Sequence, residues 1–327
     1  MKKFLITGGI EKPQRNDEWS GFKSALALEL DIESGSCKQV LEYFTPKNFR
    51  PAEPACSVLF KSGEVQGDKV ILTTQTEVLV YQWPQYKLLH RISLPCFNDI
   101  HHARLTDKNS ILVCITGLDS VFEVTLRGEV INEWSTTGEG TWQRFDKSKD
   151  YRQVLTTKPH SSHPNFCFEY AGEFFVTRFK CKDAISLQSD KCFNIAIGGP
   201  HDGFVLGKKV YFTTVNGYVI AFDLETTEQV LMVNLNDFND SSTKNLGWCR
   251  SLYMLNESEA IIGFSRMRTS KFSDYLSWAK GKVGVGTANA LATRVVQYNF
   301  SSKTINWSVN LEKHQMNAVF SVLALPK

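Results

Sequence analysis

No run of this 327-residue sequence approaches the roughly 20 consecutive apolar residues that span a bilayer, so a transmembrane helix is not expected. The eight cysteines form no C-x-x-C pair and no dense cluster, which excludes a zinc ribbon and a thioredoxin-type motif. Neither sign of charge dominates: 37 basic and 34 acidic side chains leave a formal net charge of +3, so nucleic acid is not an expected partner. G-x-S-x-G, P-loop, G-x-G-x-x-G and H-E-x-x-H patterns are all missing, which removes support for serine-hydrolase elbows, nucleotide cradles and zincin helices. GVGTAN is glycine-rich but follows no strand.

What is present fits a folded, strand-rich chain. Hydrophobic residues make up 42% and charged residues 22%, inside the globular range. Aromatics reach 12%, with 22 Phe, which favours strands over a helical bundle. Cysteines such as Cys114 in ILVCITG and Cys167 in NFCFEY lie in apolar runs and read as small buried hydrophobes in a reducing compartment. The N-terminal KKFLITGG reads as a first strand rather than a leader, and the expected location is cytoplasmic, away from membranes.

A module recurs along the chain: a short strand, a turn, a β-branched strand, a polar bend, an alternating strand and a final strand. ARLTDKNS, ILVCITG, LDSVFEVTLRG and EVINEW make the clearest copy. The copies occupy about residues 51–95, 100–135, 160–197, 200–235 and 247–310, and a sixth is split between 314–327 and 1–46. A split module is the signature of a ring closed by mixing the two ends of the chain, so the expected fold is all-β: a single-domain, six-bladed β-propeller of four-stranded antiparallel blades. A pair of β-sandwiches would not split its last module. Insertions at 136–159 and 267–291 fall outside the repeat and are candidate covers over one face.

Equivalent positions of successive blades form a ring around the axis. His102 precedes Gly117 by 15 residues, His163 precedes Arg178 by 15, Arg250 precedes Ser265 by 15 and His201 precedes Val215 by 14. Three of the seven histidines therefore share one register, and His102, His163 and His201 are the expected ligands of a divalent metal with an open position. Zinc heads the candidates, with iron, nickel and copper also suited to nitrogen ligands. His101 should point away from His102 on an alternating strand and is the weaker candidate. The bland reading is that rim histidines merely bond neighbouring strands or line a wet channel.

The bends between second and third strands add Asp119, Arg178, Asn216, Arg266 and Arg268, with Lys180 and Lys182 nearby. Arg178, Arg250, Arg266 and Asn216 are the expected binders of a small anionic substrate, because guanidinium groups capture carboxylate, sulfate or phosphate bidentately. The competing reading pairs such arginines with Asp99, Asp119, Asp183 or Asp202 as structural ion pairs. Acid–base work falls to His160, Asp119 or Asp202. Cys249, beside Arg250, reads as a buried rim cysteine before a nucleophile.

The blocks FNDIHHA, TGLDSVFEV, TTKPHSSHPNF, GWCRSLYML, GFSRMR and AVFSVLALP, in this order from about residue 95 onward, resemble an uncharacterised group of bacterial six-bladed propeller proteins. That resemblance implies the fold and no activity. More distantly, the histidine ring is similar in layout to that of the peptidylglycine amidating lyases, which hold zinc by three histidines from separate blades. The acidic and amide calcium set of gluconolactonase-like propellers is not assembled here. The expected function is a metal-dependent lyase or hydrolase acting on a small anion at the axial pocket. The alternative is a non-catalytic propeller that binds a ligand or a protein partner.

Overall fold

The computed structural model describes residues 2–13, 21–53, 56–238, 245–267 and 291–326. Strands β1 (Lys3–Glu11), β2 (Phe22–Asp31) and β3 (Cys37–Tyr43) open the chain. The next sheet contains β4 (Glu64–Gln66), β5 (Lys69–Thr73), β6 (Val78–Gln82) and β7 (Lys87–Ile92). It is followed by β8 (Ile100–Leu105), β9 (Ile111–Ile115), β10 (Ser120–Val124) and β11 (Val130–Ser135). The third repeat comprises β12 (Pro164–Tyr170), β13 (Glu173–Arg178), β14 (Asp183–Ser186) and β15 (Cys192–Asn194). Then come β16 (Pro200–Leu206), β17 (Lys209–Thr214), β18 (Tyr218–Asp223) and β19 (Gln229–Asn234). The last complete repeat has β20 (Trp248–Asn256), β21 (Glu259–Ser265), β22 (Arg294–Asn299) and β23 (Thr304–Asn310). Finally β24 (Ala318–Ala324) returns to pair with β1, giving the sheet order β24-β1-β2-β3.

Six four-stranded antiparallel sheets thus form a six-bladed propeller. Their first strands touch in sequence around the hub: β4 meets β8, β8 meets β12, β12 meets β16, β16 meets β20, β20 meets β24 and β24 meets β4. Period-two alternation is lost in the second and third strands because neighbouring blades cover both faces. β9 and β10 are buried at every position, whereas the outermost β11 is exposed at Val130–Glu133.

The core is correspondingly divided into one apolar layer between each adjacent pair of blades. Val80 of β6 packs with Val113 of β9 and Phe122 of β10, and Phe175 of β13 packs with Phe212 of β17. The seam at the termini is built in the same way, with Leu5 of β1 against Leu72 and Leu79, and Phe4 against Ile261 and Val295. Burial of a Leu, Ile or Phe side chain contributes about 1.5–3 kcal/mol, so the ring is held by many such layers rather than by covalent links. All eight cysteines are free thiols. No helix among the described residues is long and apolar enough to cross a membrane.

One irregularity recurs at the hub and positions the site. The register between first and second strands slips by one residue between Ile100 and His102, Pro164 and Cys167, Pro200 and Asp202, and Cys249 and Ser251. β24 shows the same slip against β1 where Thr7 pairs Ser321 and Gly8 pairs Val319. An extra residue in one strand is a β-bulge, and it re-aims a side chain out of the alternating pattern.

Candidate axial anion site

The residues in these bulges are His101, Asn165, His201, Arg250 and Phe320, and each lines a cavity of about 730 Å³ at the mouth of the hub. Lys61 fills the corresponding place before β4, where its backbone N–H donates to Thr73 O at 2.9 Å. Six blades therefore each send one side chain into the cavity.

The bulge corrects the expected ligand set. His101 faces the cavity, with its ring 5.0 Å from that of His163 and 6.0 Å from that of His201. His102 instead turns between two blades, where its Nδ1 lies 3.1 Å from Cys167 Sγ and its ring 4.8 Å from Phe166. His102, His163 and His201 are not brought together. Among the described residues, no group of three or more His, Cys, Asp or Glu side chains is arranged to hold a metal ion.

His163 reaches the cavity from the bend before β12, in a left-handed conformation with φ of 59°. Such a backbone persists only when its surroundings hold it. Asp119 does so. This buried carboxylate accepts from Ser161 N at 2.7 Å, Ser162 N at 3.0 Å and His163 N at 2.8 Å, and pairs with Arg144 at 2.5 Å. Against the cost of burial, these backbone donors draw its pKa below the usual carboxylate range. Asp119 is thus an anchor for the histidine loop and does not line the cavity.

The other expected residues divide similarly. His160 and Asn216 line the cavity, and so does Arg250, whose guanidinium lies 4.3 Å from the centre of the Phe320 ring. Asp202 lies outside it, accepting from Leu252 N at 3.1 Å, and burial pushes its pKa up to about 7. Arg178 is spent on Asp183, at 2.9 and 2.5 Å, and Arg266 on Glu312, at 2.7 and 2.6 Å; neither lines the cavity. Arg268 and most of the 267–291 insertion, with GVGTAN, lie outside the described residues. The 136–159 insertion ends at Lys158 and Pro159, which form part of the cavity wall. Cys249 is buried, and that burial raises its thiol pKa.

Lys61, Asp99 and Lys158 were not among the expected site residues. Asp99 forms an ion pair with buried Lys61 and lies 3.5 Å from His101 Nε2. A bulge-aware alignment of VLFKSG with NDIHHA is the sequence signal that finds Lys61. With Lys180 and Lys182, the described residues give the cavity five cationic side chains, Lys61, Lys158, Lys180, Lys182 and Arg250, against one carboxylate, that of Asp99.

Its four imidazoles are neutral at neutral pH. Burial, then the Lys61 charge, holds His101 down to about 4. Burial depresses His163 and His201 far below the ordinary value, reinforced by His101 and by Arg250 respectively. Burial also lowers His160, against the opposing pull of Asp99. The cavity's potential is therefore set by lysine and arginine, with uncharged imidazoles between them. Apolar walls from Phe22, Phe179 and Phe320 lower the local dielectric and strengthen that potential.

No family model matches this chain, and no curated protein matches it. Among solved structures, a protein of unknown function from Bacteroides caccae superposes with a TM-score of 0.62 at 15% identity, over 100% of both chains. A chain of the nidogen/laminin complex superposes with a TM-score of 0.59 at 8% identity, over 98% of both chains. At these identities the likeness is one of fold alone, so the chemistry rests on the cavity itself.

Proposed function

We propose that the axial cavity binds a small organic anion. The observation that carries this reading is the charge of its wall: among the described residues, five cations and one carboxylate around a space of about 730 Å³ open at the mouth of the hub. A divalent cation placed there would meet like charge, whereas a carboxylate or phosphate would meet complementary charge in a partly desolvated setting. Arg250 and Lys182, which flank His201 in sequence, are the assigned partners of the acid group. His160 lines the cavity with both ring nitrogens engaged, Nε2 by Thr157 and Nδ1 by His163, so no proton transfer is assigned to it.

Calorimetric titration of the full chain with small carboxylates and phosphates tests this at two salt concentrations. Binding weakened by added salt, and weakened about tenfold or more in Arg250→Gln and Lys182→Gln, is the expected result. Wild-type affinity in both variants, or zinc binding tightly while no anion binds, would contradict it. The zinc outcome would return the metal-dependent lyase or hydrolase reading to first place.

A further inference from the structure

The hydrogen-bond network fixes which nitrogen of each cavity histidine carries the proton, and the result is a surplus of acceptors. Thr157 Oγ1 donates its one hydrogen to a carbonyl, Gly117 O at 2.5 Å or Asn98 Oδ1 at 3.4 Å. Its contact with His160 Nε2 at 3.3 Å must then be accepted, so His160 carries its proton on Nε2. His160 Nδ1 is consequently an acceptor, and the 2.9 Å contact between the Nδ1 atoms of His160 and His163 makes His163 the donor there. That leaves a lone pair on His163 Nε2. His201 Nδ1 faces the Arg250 carbonyl at 3.1 Å and must donate to it, which leaves a lone pair on His201 Nε2 as well. His101 turns Nε2 toward the Asp99 carboxylate, and its Nδ1 has no hydrogen-bond partner.

Two amides add to this set. Asn165 donates Nδ2 to Pro200 O at 3.0 Å and Asn216 donates Nδ2 to Ile197 O at 3.1 Å. Their Oδ1 atoms are thereby fixed as acceptors, and both are buried without a partner. At the cavity, His163 and His201 thus present imidazole lone pairs, while His101 Nδ1 and the two amide oxygens lie buried behind its wall; of the cations there, Lys61 is paired with Asp99 and Lys180 donates to His160 O. A ligand hydroxyl that donates to the His163 and His201 lone pairs supplies hydrogen-bond partners at the cavity wall.

Resting on the anion-binding reading, we infer that the ligand is a polyhydroxylated organic acid of the sugar-acid class: its acid group meets the lysine and arginine side chains, and its hydroxyls donate to His163 Nε2, His201 Nε2 and their neighbours. A hydroxyl both donates and accepts, so it fits a wall that holds both cations and imidazole lone pairs. The C–H faces of such a ligand fit the walls at Phe179 and Phe320. A site built to bond hydroxyls rejects analogues that lack them, because its own acceptors are then left unpaired.

Calorimetry with glucuronate and gluconate as probes, glucose as the uncharged counterpart and hexanoate as the acid without hydroxyls tests the inference. At least one sugar acid is expected to bind about tenfold or more tightly than both hexanoate and glucose. In His201→Phe, with thermal midpoint checked against wild type, that preference over hexanoate should shrink while hexanoate binding persists. His201→Gln, which keeps an acceptor, should retain part of it. Hexanoate binding as tightly as the sugar acids overturns the hydroxyl inference and leaves the anion reading standing. Glucose binding as tightly as glucuronate overturns the anion reading itself, and no binding by either sugar acid overturns the inference. Should both His201 variants unfold, the four-ligand comparison on the unmodified chain decides alone.

Discussion

One residue of slippage separates His101 from His102 and decides which of them faces the ligand cavity. Strand alternation assigns them to opposite sides, and it does so correctly. It does not say which side is which, because the bulge between Ile100 and His102 inserts the residue that resets the phase. Counting back from the second strand finds His201 and Arg250 in their bulges but misses His101 and Asn165 in theirs, because the reference point slides by a residue or two between blades: β9 ends at Ile115, before Gly117. Asp119 was legible as a charged residue in a bend, yet its role as an anchor depends on three backbone N–H groups some 42–44 residues away. Asp119→Ala removes those acceptors and strands Arg144; a loss of about 3–5 kcal/mol in denaturant unfolding is expected, with anion affinity reduced through a loosened His163. Wild-type stability in that variant would remove Asp119 from this role. His101 supplies a pH test. Its pKa in the folded chain, about 4, lies below the unfolded value near 6.5, so its contribution is complete above about pH 6.5 and is lost as pH falls toward 4. Unfolding free energy should drop by about 3 kcal/mol more over that window in wild type than in His101→Gln. Parallel curves for the two proteins would show that His101 is not held neutral.

At the scale of strands and blades, sequence pattern was a better guide. The second and third strands of each blade are continuous apolar runs because blades cover them on both faces, and the split last module follows from β24 having no partners after it in the chain. What pattern did not reveal was the bulge, since one extra residue changes neither hydrophobicity nor strand length. Closure of the ring depends on close approach between β1 and β24: a Cβ on Gly8 would lie 1.8 Å from the Ala318 carbonyl oxygen. Backbone must move to admit it, so Gly8→Ala should cost about 1–3 kcal/mol and lower the thermal midpoint. Gly35, whose added Cβ meets nothing within 4 Å but whose φ is +69°, makes the useful comparison. Its alanine variant should lose only the smaller penalty of a left-handed alanine, about 1–2 kcal/mol. A Gly8→Ala protein as stable as wild type would mean the seam is looser than described.

Across the whole molecule, six apolar layers between blades make the hub a rigid frame, and the bulges use that frame to gather side chains from every blade at one mouth. The arginines divide accordingly. Arg178 and Arg266 satisfy carboxylates away from the cavity, the structural pairing anticipated as the competing reading, whereas Arg250 stays at the mouth. The seven histidines report on this arrangement directly: His101, His160, His163 and His201 line the cavity, His102 is buried between blades, and His90 and His314 lie elsewhere. Histidine-selective NMR of the full chain, recorded while glucuronate or a simple carboxylate is added, tests the central claim most directly. Saturable shifts at His101, His160, His163 and His201, with His90 and His314 unmoved, are the predicted result. Shifts confined to His90 or His314, or saturable binding that leaves the four cavity histidines unchanged, would contradict it.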